Sequence, residues 1–114
     1  MTQEDDFNTN LAKLKIGTEL TTATKRKSEI SNKTYKDVEI FIHKSRKKRC
    51  IEIDDIKKAY IYLRQGNKIE GVEGERESIL SIIGDRKRTY SYVWAILSNF
   101  EDIETKDIQL SYKF

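Results

Sequence analysis

The sequence predicts an α+β fold, and three patterns carry that prediction. Between residues 18 and 53, β-prone runs alternate with turn-forming clusters. From residue 54 onward the apolar residues mostly recur at helical spacing. The changes of period fall at glycines, Gly17, Gly66 and Gly84, which stop helices because they take a left-handed backbone without a Cβ penalty. The chain of 114 residues contains no proline, internal repeat or linker, and it suits one small domain, 1–114, with one modest core.

In chain order, residues 3–15 read as a helix with Phe7, Leu11 and Leu14 on one face and Glu4, Asp5 and Asp6 in the first turn; residues 1–5 are expected to fray. Residues 18–23 are β-prone, and Lys27 to Ile30 pairs back on them across a turn at 24–26. Residues 31–34 form a second turn. Residues 37–43 are a strand, with Val38, Ile40 and Ile42 alternating against Glu39, Phe41 and His43. Residues 44–49 form a third turn, and Cys50 to Ile53 returns as a short strand. The best helical pattern is 54–65, capped by Asp54, striped by Ile56, Ala59, Tyr60 and Leu63 and ended by Gly66.

Residues 67–74 then read as a loop. Residues 75–83 form a helix through Ile79, Ile82 and Ile83, and Gly84 stops it. Asp85 to Arg88 is a charged turn. Thr89 is a candidate N-cap for a helix over 90–100, whose apolar face combines Tyr90, Val93, Trp94 and Leu97 with Ile96 and Phe100. A strand over 88–96 is the alternative, since Thr89 to Trp94 is rich in β-formers. An acidic corner, 101–104, precedes a last strand through Ile108, Leu110 and Tyr112 that pairs with the meander or forms a wing. The predicted core is Ile56, Tyr60, Leu63, Ile79, Ile83, Val93, Ile96 and Leu97.

Net charge is only +3, but it is unevenly distributed. Residues 25–49 hold ten Lys/Arg against three Asp/Glu, a net of +7, which leaves −4 for the rest of the chain. A basic segment on an acidic remainder implies an anionic partner on one side. A simple antiparallel meander would bring turn one (Lys25, Arg26, Lys27) and turn three (Lys44, Arg46, Lys47, Lys48, Arg49) to the same end of the sheet. Eight cations would then share one rim.

Helix, basic turn (Arg86, Lys87, Arg88), apolar helix and terminal strand over 75–114 resemble the order of a winged helix-turn-helix, a DNA-binding arrangement. The resemblance covers about a third of the chain and rests on pattern alone. It implies backbone contacts from the basic turns and base contacts from Thr89, Ser91, Tyr92 and Ser98.

Other chemistries have less to stand on. One cysteine, Cys50, excludes an internal disulfide and fits a reducing cytoplasm. One histidine, His43, with one cysteine gives no zinc spacing. Asp37, Glu39, Glu52, Asp54 and Asp55 lie near lysines, as in a small metal-dependent nuclease, yet at no distinctive spacing. Tyr35, Phe41, Tyr90, Tyr92 and Trp94 could stack on bases, although core packing explains such residues more simply. No run of about 18 apolar residues is present, so no membrane span is expected. No cofactor or metal site is expected. The favoured reading is a non-catalytic DNA-binding protein, a small regulator or accessory factor of a bacterial, phage or plasmid setting. The alternative is a protein-binding inhibitor or immunity-type factor, with 70–77 and 101–107 as acidic contact surfaces.

Overall fold

The computed structural model describes residues 2–70, 79–84 and 89–114, and their architecture is α+β. Helix α1 (Gln3–Lys13) starts abruptly, because the Thr2 hydroxyl accepts the Asp5 N–H at 3.1 Å. Glu4 reaches Lys57 at 2.9 Å, so the segment expected to fray is tied down at both levels.

Four strands follow: β1 (Glu19–Thr21), β2 (Lys27–Lys33), β3 (Asp37–Ile42) and β4 (Lys47–Glu52), each antiparallel to the next in the order β1-β2-β3-β4. The meander is therefore the simple one. Its strand boundaries differ from expectation at two turns. Ser31 to Lys33 belongs to β2 and is not a turn: the Lys33 ammonium donates to the Leu11 and Leu14 carbonyls at 2.9 and 2.5 Å, which holds the strand along the end of α1. Burial there lowers the Lys33 pKa. The turn itself forms at 34–36, where the Thr34 hydroxyl accepts the Lys36 and Asp37 N–H groups at 3.2 and 3.0 Å. Likewise Lys47, Lys48 and Arg49 are strand, paired with Ile42, Phe41 and Ile40; the turn is confined to 43–46.

Helix α2 (Ile53–Arg64) begins directly from β4 with Glu52 as N-cap. Asp54 is therefore not the cap but lies in the first turn, beside the positive end of the helix. Gly66, at φ +95°, ends the helix as its backbone freedom allows. Strand β5 (Ile69–Glu70) lies where a loop was expected. Residues 79–83 are helical and Gly84, at φ +99°, stops them; residues 75–78 of the predicted helix lie outside the described residues.

Helix α3 (Tyr90–Leu97) shows that 90–97 is helix and not strand, and it ends three residues short of the expected 90–100. Thr89 holds the N-cap position, as expected, but its side chain makes no capping bond. Its ψ of 1° departs from the extended backbone usual at an N-cap, and its hydroxyl is buried without a partner among the described residues. Strands β6 (Ile103–Lys106) and β7 (Gln109–Tyr112) form a hairpin, and β5 joins it to give a second sheet in the order β5-β7-β6.

One apolar core runs from Leu20 and Ile40 of the first sheet through Ile56, Leu63 and Leu97 to Leu110 of the second. All eight predicted core residues are buried; Ile83, at 7% exposed, is the least so. Helix α2 packs against α1, α3, β4 and β7, while α3 packs against α2 and β1.

Candidate nucleic-acid interface

The two turns at one end of the four-stranded sheet position the site. In turn one, Thr22 is 1% exposed, and its hydroxyl accepts the Arg26 N–H at 3.0 Å and lies 3.1 Å from the Thr24 hydroxyl. Lys25 takes a left-handed backbone, φ 69°, and donates its N–H to the Thr22 carbonyl at 2.9 Å. In turn three Arg46 does the same at φ 57°, donating to the Ile42 carbonyl at 2.8 Å. The His43 N–H donates to the Lys27 carbonyl at 3.2 Å, so the two turns are hydrogen-bonded neighbours.

Between these turns and the start of α3 lies an open groove of about 1300 Å³. Its cations are Lys25, Arg26, Lys27, Lys44, Lys47 and Arg49. Ile42, Leu80, Tyr90 and Tyr92 supply apolar surface, and Ser45, Ser91 and His43 complete the lining. Among the described residues no Asp or Glu belongs to it. Lys27 approaches Glu19 at 3.8 Å, and His43 Nε2 lies 3.4 Å from Glu29 Oε1. The other five cations form no ion pair among the described residues.

Strand register decides which of the basic residues enter. Lys47, Arg49 and the buried Ile51 share one face of β4, the face turned to the helices. Lys48 points to the outer face, where it meets Glu39 at 3.7 Å. That outer face also carries Glu19 and Glu29, each opposed to a cation or to His43. The rim of eight cations is thus divided: Lys25, Arg26, Lys27, Lys44, Lys47 and Arg49 line the groove, whereas Lys48 and Arg46 do not.

The residues expected to read bases fare differently. Ser91 is half-buried and lines the groove. Tyr92 also borders it but is only 6% exposed, because six of the eight residues of α3 are buried. Arg86, Lys87 and Arg88 lie outside the described residues. Of the other aromatic candidates, Trp94 is core at 4% exposed, and Tyr35 stands 87% exposed at the opposite end of the sheet. Ser45 and Leu80 are not singled out in the sequence at all, and Ile42, His43 and Tyr90 stand out there as strand or helix residues and not as lining. Only packing of α3 and residues 79–83 against the sheet end brings them together.

Among the described residues no three His, Cys, Asp or Glu side chains come together as metal ligands, and no helix is long and apolar enough to cross a membrane. No family model, curated protein or solved structure matches the chain.

Proposed function

We propose that this chain is a non-catalytic DNA-binding protein that grips phosphates in the basic groove. One observation carries the proposal: among the described residues six cations and no carboxylate line a single groove, and five of the six have no ion-pair partner there. Like charges lining one groove repel one another, and an anionic ligand relieves that repulsion while releasing its own counterions. The groove's size and openness suit a polymer backbone, since small-molecule pockets run to roughly 300–1,000 Å³ and enclose their ligand. The helix-turn-helix resemblance contributes less. The β6–β7 hairpin after α3 takes the place of a wing, but α3 is packed on β1 and offers little surface for base edges. Ser91 is the polar residue of α3 that reaches the groove.

The alternation along β4 supplies the test. Lys47→Ala with Arg49→Ala is expected to weaken binding to any DNA sequence and to flatten log K against log salt by about 0.7–0.9 per lost phosphate contact. Lys48→Ala, one residue away on the outer face, is expected to leave that slope unchanged. Salt titrations of the three proteins check this, with thermal unfolding alongside. Equal effects from Lys48 and from the Lys47–Arg49 pair would remove the groove from the reading.

A further inference from the structure

We infer that the groove takes single-stranded nucleic acid in preference to duplex; this rests on the reading above and adds the form of the strand. The composition of the lining is the first argument. A duplex presents charged backbone outward and stacks its bases inside, so it has no use for apolar surface between phosphate contacts. A single strand exposes phosphates and base faces together, and proteins that hold it combine a cationic track with aromatic platforms. This groove has both: Lys47, Arg49, Lys25 and Arg26 for phosphates, and Tyr90, with Ile42 and Leu80, for bases.

Placement on the strand points the same way. Lys47 and Arg49 lie on the helix-facing side of β4, together with the buried Ile51. They stand exposed on the opposite side of the strand from Lys48 and its partner Glu39, in line with the apolar lining of the groove. A duplex is stiff over about 150 base pairs, whereas a single strand bends to follow a short track between a sheet end and a helix.

The described residues also offer little that could read a duplex. Entry into the major groove takes a protruding helix or a two-stranded ribbon. Helix α3 is buried on nearly all sides. The β6–β7 ribbon turns through Asp107 and Ile108, so its tip sets a carboxylate where a phosphate-gripping loop needs a cation.

The test compares a labelled oligo-dT of about ten nucleotides, within the site sizes typical of single-strand binders, with a labelled mixed-sequence hairpin duplex, by anisotropy on the unmodified protein at low salt. The single strand is expected to bind about tenfold tighter, with a salt slope near 0.7 per contact where a duplex shows near 0.9. Tyr90→Ala is expected to lower single-strand affinity by about tenfold and to leave duplex affinity unchanged, while Tyr90→Phe keeps both. Duplex binding as tight as or tighter than the single strand would overturn the inference and leave phosphate binding in the groove standing. Absence of binding to both probes would overturn the two together. The comparison of probes on the unmodified protein needs no variant to fold.

Discussion

Lys25 shows how a single backbone angle and a single charge compete. At φ 69° its Cβ crowds the following carbonyl, a clash that costs an L residue roughly 1–2 kcal/mol. Glycine removes the clash and gives back roughly 0.5–1 kcal/mol as extra chain entropy lost on folding. Lys25→Gly is therefore expected to be as stable as the parent or up to about 1 kcal/mol more stable, and Lys25→Ala to show no such gain. Both delete one groove cation, so both are expected to lose DNA affinity to the same extent. Urea unfolding and a salt titration on each variant separate the two effects. A loss of binding confined to the glycine variant would mean that turn shape, not charge, is what the ligand meets.

Among the elements, α2 depends on a polar belt as well as on its apolar stripe. The Tyr60 hydroxyl donates to Asp102 Oδ2 at 2.5 Å, and the Asn10 amide donates to Asp102 Oδ1 at 3.0 Å. The Arg64 guanidinium bonds Asp6 at 2.5 Å and lies 4.9 Å from the centre of the Tyr112 ring. That bond to Asp6 raises the Arg64 pKa. Helices α1 and α2 and the turn before β6 are joined in this way through two carboxylates, Asp102 and Asp6. Burial first, and then the bond to Asp102, raise the Tyr60 pKa well above the ordinary tyrosine value. The folded state thus holds the phenol proton more tightly than the unfolded state does. This stability is fully present below about pH 10, the unfolded value, and is lost as pH rises from there toward the raised one. Tyr60→Phe is expected to cost about 1–2 kcal/mol at neutral pH and to fall less steeply above pH about 10. Urea unfolding of both proteins from neutral to alkaline pH checks this. The contributions of Lys33 and the remaining tyrosines are common to the pair and cancel. A cost that persisted unchanged at high pH would show that the hydroxyl acts by packing alone.

For the whole molecule, the question is whether two sheets unfold as one body. Leu20 of β1 and Leu110 of β7 lie on different sheets, yet both are 0% exposed within the same core. Each change to Ala is expected to cost about 2–5 kcal/mol, and each is expected to shift a single transition seen identically by Trp94 fluorescence and far-ultraviolet circular dichroism. Leu63→Ala and Leu97→Ala, equally buried at the centre, should fall in the same range. A Leu110→Ala protein in which the two probes separate would show that the second sheet can melt alone.

The sequence by itself determined what depends on near neighbours. Period two at Val38, Ile40 and Ile42 and period 3.6 at Ile56, Tyr60 and Leu63 specify a strand and a helix, because one face of each must be buried wherever it packs. Gly66 and Gly84 marked helix ends because their backbone freedom is local. The shared end of turns one and three followed from meander topology, which short connections favour. Other features needed the folded chain. Lys47 to Arg49 looked like a turn because its charges conceal its pairing with β3. Only that pairing sends Lys47 and Arg49 one way and Lys48 the other. Thr89 takes the N-cap position that its type suits, yet at ψ 1° its hydroxyl makes no capping bond. Tyr92 appeared free on a helical wheel, yet β1, some seventy residues earlier in the chain, packs against its helix. The groove has the same origin: its described lining comes from four separate stretches of chain, and no local pattern records which stretches will meet.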